Sequence, residues 1–416
     1  MHYKTGFLII CWSIGLQSIV AKAQKPIRDV AYFLNIAIEH SPVLKDQKNQ
    51  QQALEIDNML LLASTKPHVT ASSTGMYAPI VKGYGYDEVL SNGQALEALL
   101  NVNYELLNKK RTKNELQGIK LQSDSLKQET ALSALDLTRS VIDQYITAFA
   151  GAQTVKFNSD VLVLLKKEET LLKELTRNNL YKQSEYLTFL VTLQQQQLTL
   201  KQAELEYQTD YAALNYLCGI SDTVMVPLAE PQLSVQPMPF EPHFFTRKFE
   251  LDSLKYLNQK QTISLNYKPK LGIYANSGYN SSLMFQPYKN FGASVGFTLS
   301  IPIYDGHQQK MRYNKLDLSA LTTSTYKNFF ISRQKQQLYT ISQQLNYTNV
   351  LYTQINDQIR FAKGLIAVDS KLLHTGDVKV ADYIIAINNY MAAQNLLRQT
   401  NISHLRLINQ FNYWNK

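Results

Sequence analysis

The stretch Ala95–Leu106, which reads ALEALLNVNYEL, decides the fold. Successive side chains of a β-strand point to opposite faces, so every second residue shares a face. One row comprises Leu96, Ala98, Leu100, Val102, Tyr104 and Leu106, and the other comprises Glu97, Asn101, Asn103 and Glu105 with Ala95 and Leu99. The alternation predicts a strand with one apolar and one largely polar face.

Three further segments read as strands, namely Val69–Ala78, Leu271–Asn280 and Phe291–Ile303. A half-buried sheet of a soluble protein also alternates, and this alternative stays open for the strands taken alone. Lengths of about ten residues or more suit tilted membrane spans, and Tyr residues near strand ends suit the membrane interface. Four strands are too few to close a water-filled barrel. Since strand edges in lipid must be paired, several chains are expected to share one barrel.

Long helices follow the strands, so the predicted class is mainly α with some β. Arg111–Thr176 is expected to form one helix about 100 Å long, at about 1.5 Å per residue. Apolar residues recur at alternating steps of three and four, which is typical of a coiled coil. In the second long helix these are Leu338, Ile341, Leu345, Thr348, Tyr352, Ile355 and Ile359. The long helices are expected to pair as antiparallel coiled coils.

The same order of elements occurs twice along the chain, which predicts an internal duplication. Residues 24–226 form the first repeat, 227–242 a proline-rich linker and 243–416 the second repeat. In each repeat a helix precedes two strands, the first helix being expected over Arg28–Ser64. Leu106 and Ile303 lie 197 residues apart, and so do the more distant Glu185 and Asp382. A constant offset over about 80 residues favours duplication over chance similarity.

The first 23 residues are predicted to be a signal peptide. They combine Lys4, the short apolar run Phe7–Leu16 and the small-residue cleavage site Ala21-Lys22-Ala23. Export removes Cys11 and leaves Cys218 as the only thiol of the mature chain. The net charge of +9 is spread along the helices, whereas nucleic-acid binding needs a concentrated basic face. Nucleic acid is therefore excluded as a partner.

Catalytic and metal-binding patterns are missing from the sequence. The histidines after the leader are scattered without paired metal-ligand spacing, and no glycine-rich phosphate loop or nucleophile elbow occurs. His404 belongs to a heptad row and is interpreted as a packing or lining residue. The sequence predicts neither an enzyme nor a cofactor or metal site.

Three motifs resemble the outer membrane factors, the TolC-like family of efflux ducts. The segments are AIEHSP at Ala37–Pro42, IPIYDG at Ile301–Gly306, and His374–Ile384, which reads HTGDVKVADYI. The resemblance covers essentially the whole mature chain. It implies a homotrimer in the outer membrane of a Gram-negative-type bacterium, in contact with outer membrane lipid. Three chains would each give four strands to a 12-stranded transmembrane β-barrel, and their helices would form a periplasmic α-barrel.

The family's function implies a passive exit duct. Such a duct joins a periplasmic adaptor protein to an inner-membrane pump, driven by protons or ATP. The polar residues Glu97, Asn101, Asn103 and Glu105 would then face the barrel lumen, although an aqueous outer sheet face explains them too. An exported coiled-coil structural protein without a pore remains the alternative.

Two acidic residues match the region of the family's pore constriction, Asp382 by position and Asp377 close by. The family's second acid, three residues after Asp382, is replaced here by Ile385. The simpler alternative is that both carboxylates favour the first turn of the last helix. Gly376 is expected to end a helix in the left-handed conformation, with Asn179 as its counterpart, and Asn108, Asp305 and Gly306 are expected to serve turns and caps where strands become helices.

Overall fold

The computed structural model describes residues 27–87, 94–106, 109–237, 244–282 and 289–416. The predicted signal peptide, Asn108 and the end of the proline-rich linker lie outside these residues. In chain order the elements are α1 (Val30–His40), α2 (Pro42–Ser64), β1 (His68–Tyr77), β2 (Gln94–Glu105), α3 (Lys109–Arg177), α4 (Gln183–Leu217), α5 (Arg247–Asn266), β3 (Lys270–Ser281), β4 (Phe291–Ser300), α6 (Gln308–Thr375) and α7 (Val380–Trp414).

The prediction of one helix over Arg28–Ser64 is wrong, because the chain breaks at Ser41. Ser41 has φ −56° and ψ 118°, outside the helical region, and its hydroxyl oxygen accepts a hydrogen bond from the Leu44 amide at 3.4 Å. Pro42 is the first residue of α2. Proline lacks an amide donor and disfavours the helical conformation in the residue before it, so α1 ends where α2 begins.

The four strands within the described ranges form one antiparallel sheet in the order β1-β2-β3-β4. Leu100 of β2 lies opposite Ala71 of β1 and Ser277 of β3, and Ser277 lies opposite Ala293 of β4. This register places the predicted apolar row of β2 on the same face as Ala71, Ser277 and Ala293. The long strands β2 and β3 each have 12 residues, whereas β1 and β4 have ten.

The long helices form two antiparallel hairpins. Helix α3 has 69 residues and packs along α4, while α6 has 68 residues and packs along α7. At about 1.5 Å per residue each long helix measures about 100 Å. The coiled-coil prediction for α6 is confirmed, because Ile341, Leu345, Thr348, Ile355 and Ile359 of its row are buried.

One buried amide pair lies between α3 and α4. The polar run Gln194–Gln197 favours a solvated helix face or a wet tunnel lining, yet the Gln196 side chain is only 4% exposed. Its amide nitrogen donates to the backbone oxygen of Asn158 at 3.0 Å and to the Asn158 side-chain oxygen at 3.1 Å. Buried amides are tolerated in a helix seam when such bonds satisfy them.

The helices lie side by side in an order that the contacts define. Next to the sheet the order is α2, α3, α5 and α6, since each of these helices packs on the next. At the far end the order is α4, α3, α7 and α6. Helix α6 therefore lies at one side of the helical layer along its whole length, with α2 and α4 at the other side.

Candidate functional site

The polar face of the sheet carries a hydrogen-bonded row across all four strands. Asn101 of β2 donates to the Ser72 hydroxyl of β1 at 2.9 Å. Asn280 of β3 donates to the Glu97 carboxylate at 2.9 Å. On the other side, the Ser294 hydroxyl of β4 donates to the Asn276 side-chain oxygen at 2.8 Å. Asn103 and Glu105 lie on this same face of β2. Amide, hydroxyl and carboxylate groups thus form a continuous wettable surface.

The opposite face of the sheet is apolar and uncovered. Leu100 is 56% exposed, and Val295 and Phe297 of β4 are 78% and 75% exposed. Val69 of β1 extends the same surface. Contiguous exposed apolar patches of this kind mark contacts with membranes or other proteins.

Both outer edges of the sheet are open. Among the described residues, β1 and β4 pair with a strand on one side only. An exposed edge presents unpaired amide and carbonyl groups and so favours pairing with another chain. The sheet therefore lacks a partner along each edge as well as on its apolar face.

Charged contacts fix the junctions where strands pass into helices. The Asp305 carboxylate accepts hydrogen bonds from the Tyr267 hydroxyl at 2.5 Å and from the Gln309 amide at 2.7 Å. The Tyr267 hydrogen bond, with help from backbone amides, lowers the pKa of the Asp305 carboxyl below its usual value. Gly306 and His307 both have φ 63°, so the chain turns here through two left-handed residues. At the other junction the Arg111 guanidinium lies 2.5 Å from the Glu105 carboxylate.

The hairpin turns at the far end pack against each other. Gly376 ends α6 with φ 81°, and Asn179 after α3 has φ 61°. A β-carbon on Gly376 would lie 2.9 Å from the Leu180 side chain, so the two turns are in close contact. The Tyr181 hydroxyl lies 3.0 Å from the Leu373 carbonyl oxygen and 2.9 Å from that of Val378. This hydroxyl ties the α3–α4 turn to the α6–α7 turn.

The predicted constriction acids are exposed at these turns. The Asp377 carboxylate accepts a hydrogen bond from the Thr375 hydroxyl at 2.6 Å. Asp382 lies in the first turn of α7, and its counterpart Glu185 in α4 accepts a bond from the Lys182 amide at 3.1 Å. Each hairpin thus presents a carboxylate at the start of its returning helix, where the helix dipole favours negative charge.

A buried polar cluster between the hairpins was missed by the sequence analysis. Glu168 of α3 is 5% exposed and accepts a hydrogen bond from the Ser370 hydroxyl of α6 at 3.4 Å. The Tyr383 hydroxyl of α7 is buried beside them and meets no partner in hydrogen-bonding geometry among the described residues. Burial, and then the Glu168 charge, raise the pKa of Tyr383. The row Val161, Leu165 and Leu172, whose spacing places Glu168 at a core position, could have indicated its burial, whereas the neighbouring Glu169 is only half-buried.

Tyr181→Phe is expected to loosen the contact between the two turns. The substitution keeps the ring and removes the hydroxyl that bridges two carbonyl oxygens, at a cost of about 1–3 kcal/mol for buried groups left unpaired. Amide hydrogen exchange should rise selectively in residues 372–380, with Tyr186→Phe, which loses a bond to Glu169 instead, as the control. Equal exchange in both variants would remove Tyr181 from this role.

No helix within the described ranges carries an apolar stretch of the length that a membrane crossing requires. The described residues also contain no group of His, Cys, Asp and Glu side chains placed to hold a metal ion.

Comparisons with known proteins identify the fold. No protein-family model and no curated protein matches the sequence. Among solved structures, the chain is similar to CusC, a protein studied for transmembrane channel formation, with 11% identity, a TM-score of 0.78 and coverage of 94% of this chain and 93% of CusC. A membrane protein from Pseudomonas aeruginosa is 14% identical with a TM-score of 0.77, and the match covers 100% of this chain and 99% of that protein. The outer membrane protein VceC of Vibrio cholerae is 12% identical with a TM-score of 0.75, and the match covers 93% of this chain and 95% of VceC.

These matches define the fold of the chain, and three more solved structures share it. Further matching structures are the outer-membrane channels OprN, CmeC of Campylobacter jejuni and MtrE of Neisseria gonorrhoeae. At 11–14% identity these likenesses establish a shared architecture. The protein has the TolC-like outer membrane factor fold that its motifs predict, and the predicted fold class is confirmed.

Proposed function

We propose that the protein is a passive channel of the outer membrane whose helices extend into the periplasm. The observation that carries the proposal is the single amphipathic sheet, with an exposed apolar face, a hydrogen-bonded polar face and two unpaired edges. Lipid against the apolar face and water against the polar face satisfy both surfaces. Copies of the chain, pairing β4 of one with β1 of the next, satisfy the edges.

Three copies would give a 12-stranded barrel, the number implied by the resemblance to outer membrane factors. Glu97, Asn101, Asn103 and Glu105 would then line the lumen, and the paired hairpins would surround a periplasmic tunnel. The shared architecture with CusC and VceC supports this arrangement.

The duct would not drive transport by itself. In the proposal it receives solutes from an inner-membrane pump through a periplasmic adaptor, and the hairpin turns around Asn179 and Gly376 are the parts that reach toward them. No catalytic step, cofactor or metal is assigned to the chain.

Planar-bilayer recording tests the function. Protein extracted from outer membranes with detergent should form stable trimers and insert as conducting pores, because the polar sheet face and the helical tunnel enclose a water-filled path. Recovery of the protein as a soluble periplasmic monomer would instead support the alternative, an exported coiled-coil structural protein that binds partners without a pore.

Asp382→Asn is expected to weaken cation selectivity and cation block of these pores. If the turns converge in the trimer, up to three Asp382 carboxylates face one narrow passage and attract cations. The reversal potential in a salt gradient and the block by divalent cations report the change. Asp46→Asn, which neutralises an exposed carboxylate on α2, is the matched control. An unchanged response of Asp382→Asn would leave this carboxylate with its helix-dipole role alone.

A further inference from the structure

A cavity of about 430 Å³ lies between α3 and α5, beside α6. Its apolar lining consists of Leu132 in α3, Leu251 in α5 and the rings of Phe245, Phe249 and Phe330. The centroid of the Phe330 ring lies 5.8 Å from that of Phe245 and 6.0 Å from that of Phe249. Small-molecule sites commonly have this volume and an aromatic lining, and many lie between packed helices.

Polar and charged groups complete the lining of the cavity. The Ser125 hydroxyl is buried and meets no hydrogen-bond partner among the described residues. Since buried polar groups are normally paired, a hydrogen-bonding group of a ligand would satisfy it. The charged side chains of the lining are two acids and two bases, namely Glu129, Asp252, Lys248 and Lys255. Their formal charges cancel, so the cavity favours an ion of neither sign.

The open side of the cavity, marked by the exposed Glu129, faces the same way as the polar face of the sheet. Glu105 lies on that polar face, and the Arg111 guanidinium at the start of α3 lies beside its carboxylate. Glu129 follows Arg111 by 18 residues, which is five full turns at 3.6 residues per turn, so both lie on one side of α3. In the proposed channel this is the side of the lumen.

The cavity is built within one chain, away from the surfaces where copies would meet. Next to the sheet the helices lie in the order α2, α3, α5 and α6, so α3 and α5 are the two inner members. Copies that pair through β1 and β4 would meet at the outer sides of this layer. The cavity would therefore stay open to the lumen after assembly.

We propose that this cavity binds uncharged aromatic solutes on their way through the channel. The inference rests on the proposed channel function and names a substrate class for it. Rings of the solute would pack on Phe245, Phe249 and Phe330 in offset or edge-to-face geometry. A hydroxyl, amine or carbonyl group of the solute would pair with the Ser125 hydroxyl, which can both donate and accept.

Binding of 1-aminoanthracene, an uncharged aromatic amine that fluoresces in apolar surroundings, tests the site in trimers held in lipid nanodiscs. Ser125→Leu fills the cavity and removes its hydroxyl, so it should raise the Kd of the dye at least tenfold. Ser140→Leu is the matched control, because Ser140 is exposed about eight turns after Arg111 on the same side of α3. Its Kd should equal that of the unsubstituted chain.

Two competitors separate an aromatic solute from a lipid chain. The uncharged aromatic 1-naphthol should displace the dye, whereas decanoate at the same concentration should leave it bound. Displacement by decanoate alone would assign the cavity to acyl chains and overturn the aromatic class.

A thiol at the rim gives a second measurement that does not depend on filling the cavity. Saturating dye should slow the reaction of Glu129→Cys with a hydrophilic maleimide at least threefold and leave the rate of Ser140→Cys unchanged. Cys218 is buried and is the background thiol in both chains. If Ser125→Leu forms no trimers, an unchanged rate at Glu129→Cys overturns the site by itself.

The outcomes separate the binding site from the channel. Pores that conduct, while the dye binds equally to the Ser125→Leu and Ser140→Leu chains, would overturn the site and leave the channel intact. An unsubstituted chain that is a soluble monomer would overturn the channel. The assignment to transported solutes would then fail as well, even where dye binding responds to Ser125→Leu.

Discussion

Gly278→Ala is expected to reduce assembled, conducting trimers at least tenfold. Gly278 has φ +153°, and an added β-carbon would lie 2.1 Å from the Ala98 carbonyl oxygen and 3.0 Å from the Leu99 α-carbon. Both obstacles are backbone atoms of the neighbouring strand β2, so relief requires the two strands to separate. Backbone strain alone costs about 1–3 kcal/mol, and the overlap adds to it. A loss of about 1.4 kcal/mol already corresponds to a tenfold change in an equilibrium.

Gly292→Ala provides the matched control, because Gly292 lies directly opposite Gly278 on β4. None of the described atoms lies within 4 Å of the β-carbon position at Gly292. Trimer yield in detergent and pore conductance should therefore stay close to those of the unsubstituted chain. Similar losses in the two variants would show that the β2–β3 contact is not the cause.

Gly376→Ala is expected to open the hairpin turns. An alanine at φ 81° costs about 1–2 kcal/mol, and its β-carbon would lie 2.9 Å from two carbons of Leu180. The strain and the displaced Leu180 together should raise the rate of tryptic cleavage at the exposed Lys379 by about tenfold, if cleavage follows local opening.

The control for this position is Gly306→Ala, which has a similar φ of 63° but no described atom within 4 Å of the added carbon. Gly306→Ala introduces backbone strain without a steric collision, and it lies at the junction of β4 and α6, far from the hairpin turns. Adding Leu180→Ala to Gly376→Ala should restore part of the protection. If the cleavage rate of Gly376→Ala is the same with and without Leu180→Ala, the whole effect comes from backbone strain.

The sheet was readable from sequence because a strand has a period of two and one residue of shift would reverse its faces. Leu100 and Asn101 are neighbours in sequence, yet the structure places them on opposite faces, as the alternation predicts. The long helices were equally readable from the row ending at Ile359, which is buried. Strong periodicity over many residues overrides local ambiguity.

The parts that sequence analysis missed depend on single contacts in space. Pro42 divides the predicted first helix, an outcome that its own stereochemistry favours. Gln196 and Glu168 are polar residues in polar stretches, and only the spacing of their buried neighbours, Leu193 for one and Leu165 for the other, indicates a core position. The positive φ of His307 likewise depends on the junction between β4 and α6. The roles of Asp377 and Asp382 remain predictions, since the proposed pore would form only between copies.

The most direct test of the channel account is the polarity of the surroundings on the two faces of β2. Spin labels at Leu100→Cys and Asn101→Cys, in trimers reconstituted into lipid vesicles, report collision with oxygen dissolved in lipid and with a nickel chelate dissolved in water. The account predicts oxygen contact at position 100 and nickel contact at position 101. Equal access of the nickel chelate to both positions would contradict it, because neither face of the sheet would then lie in lipid.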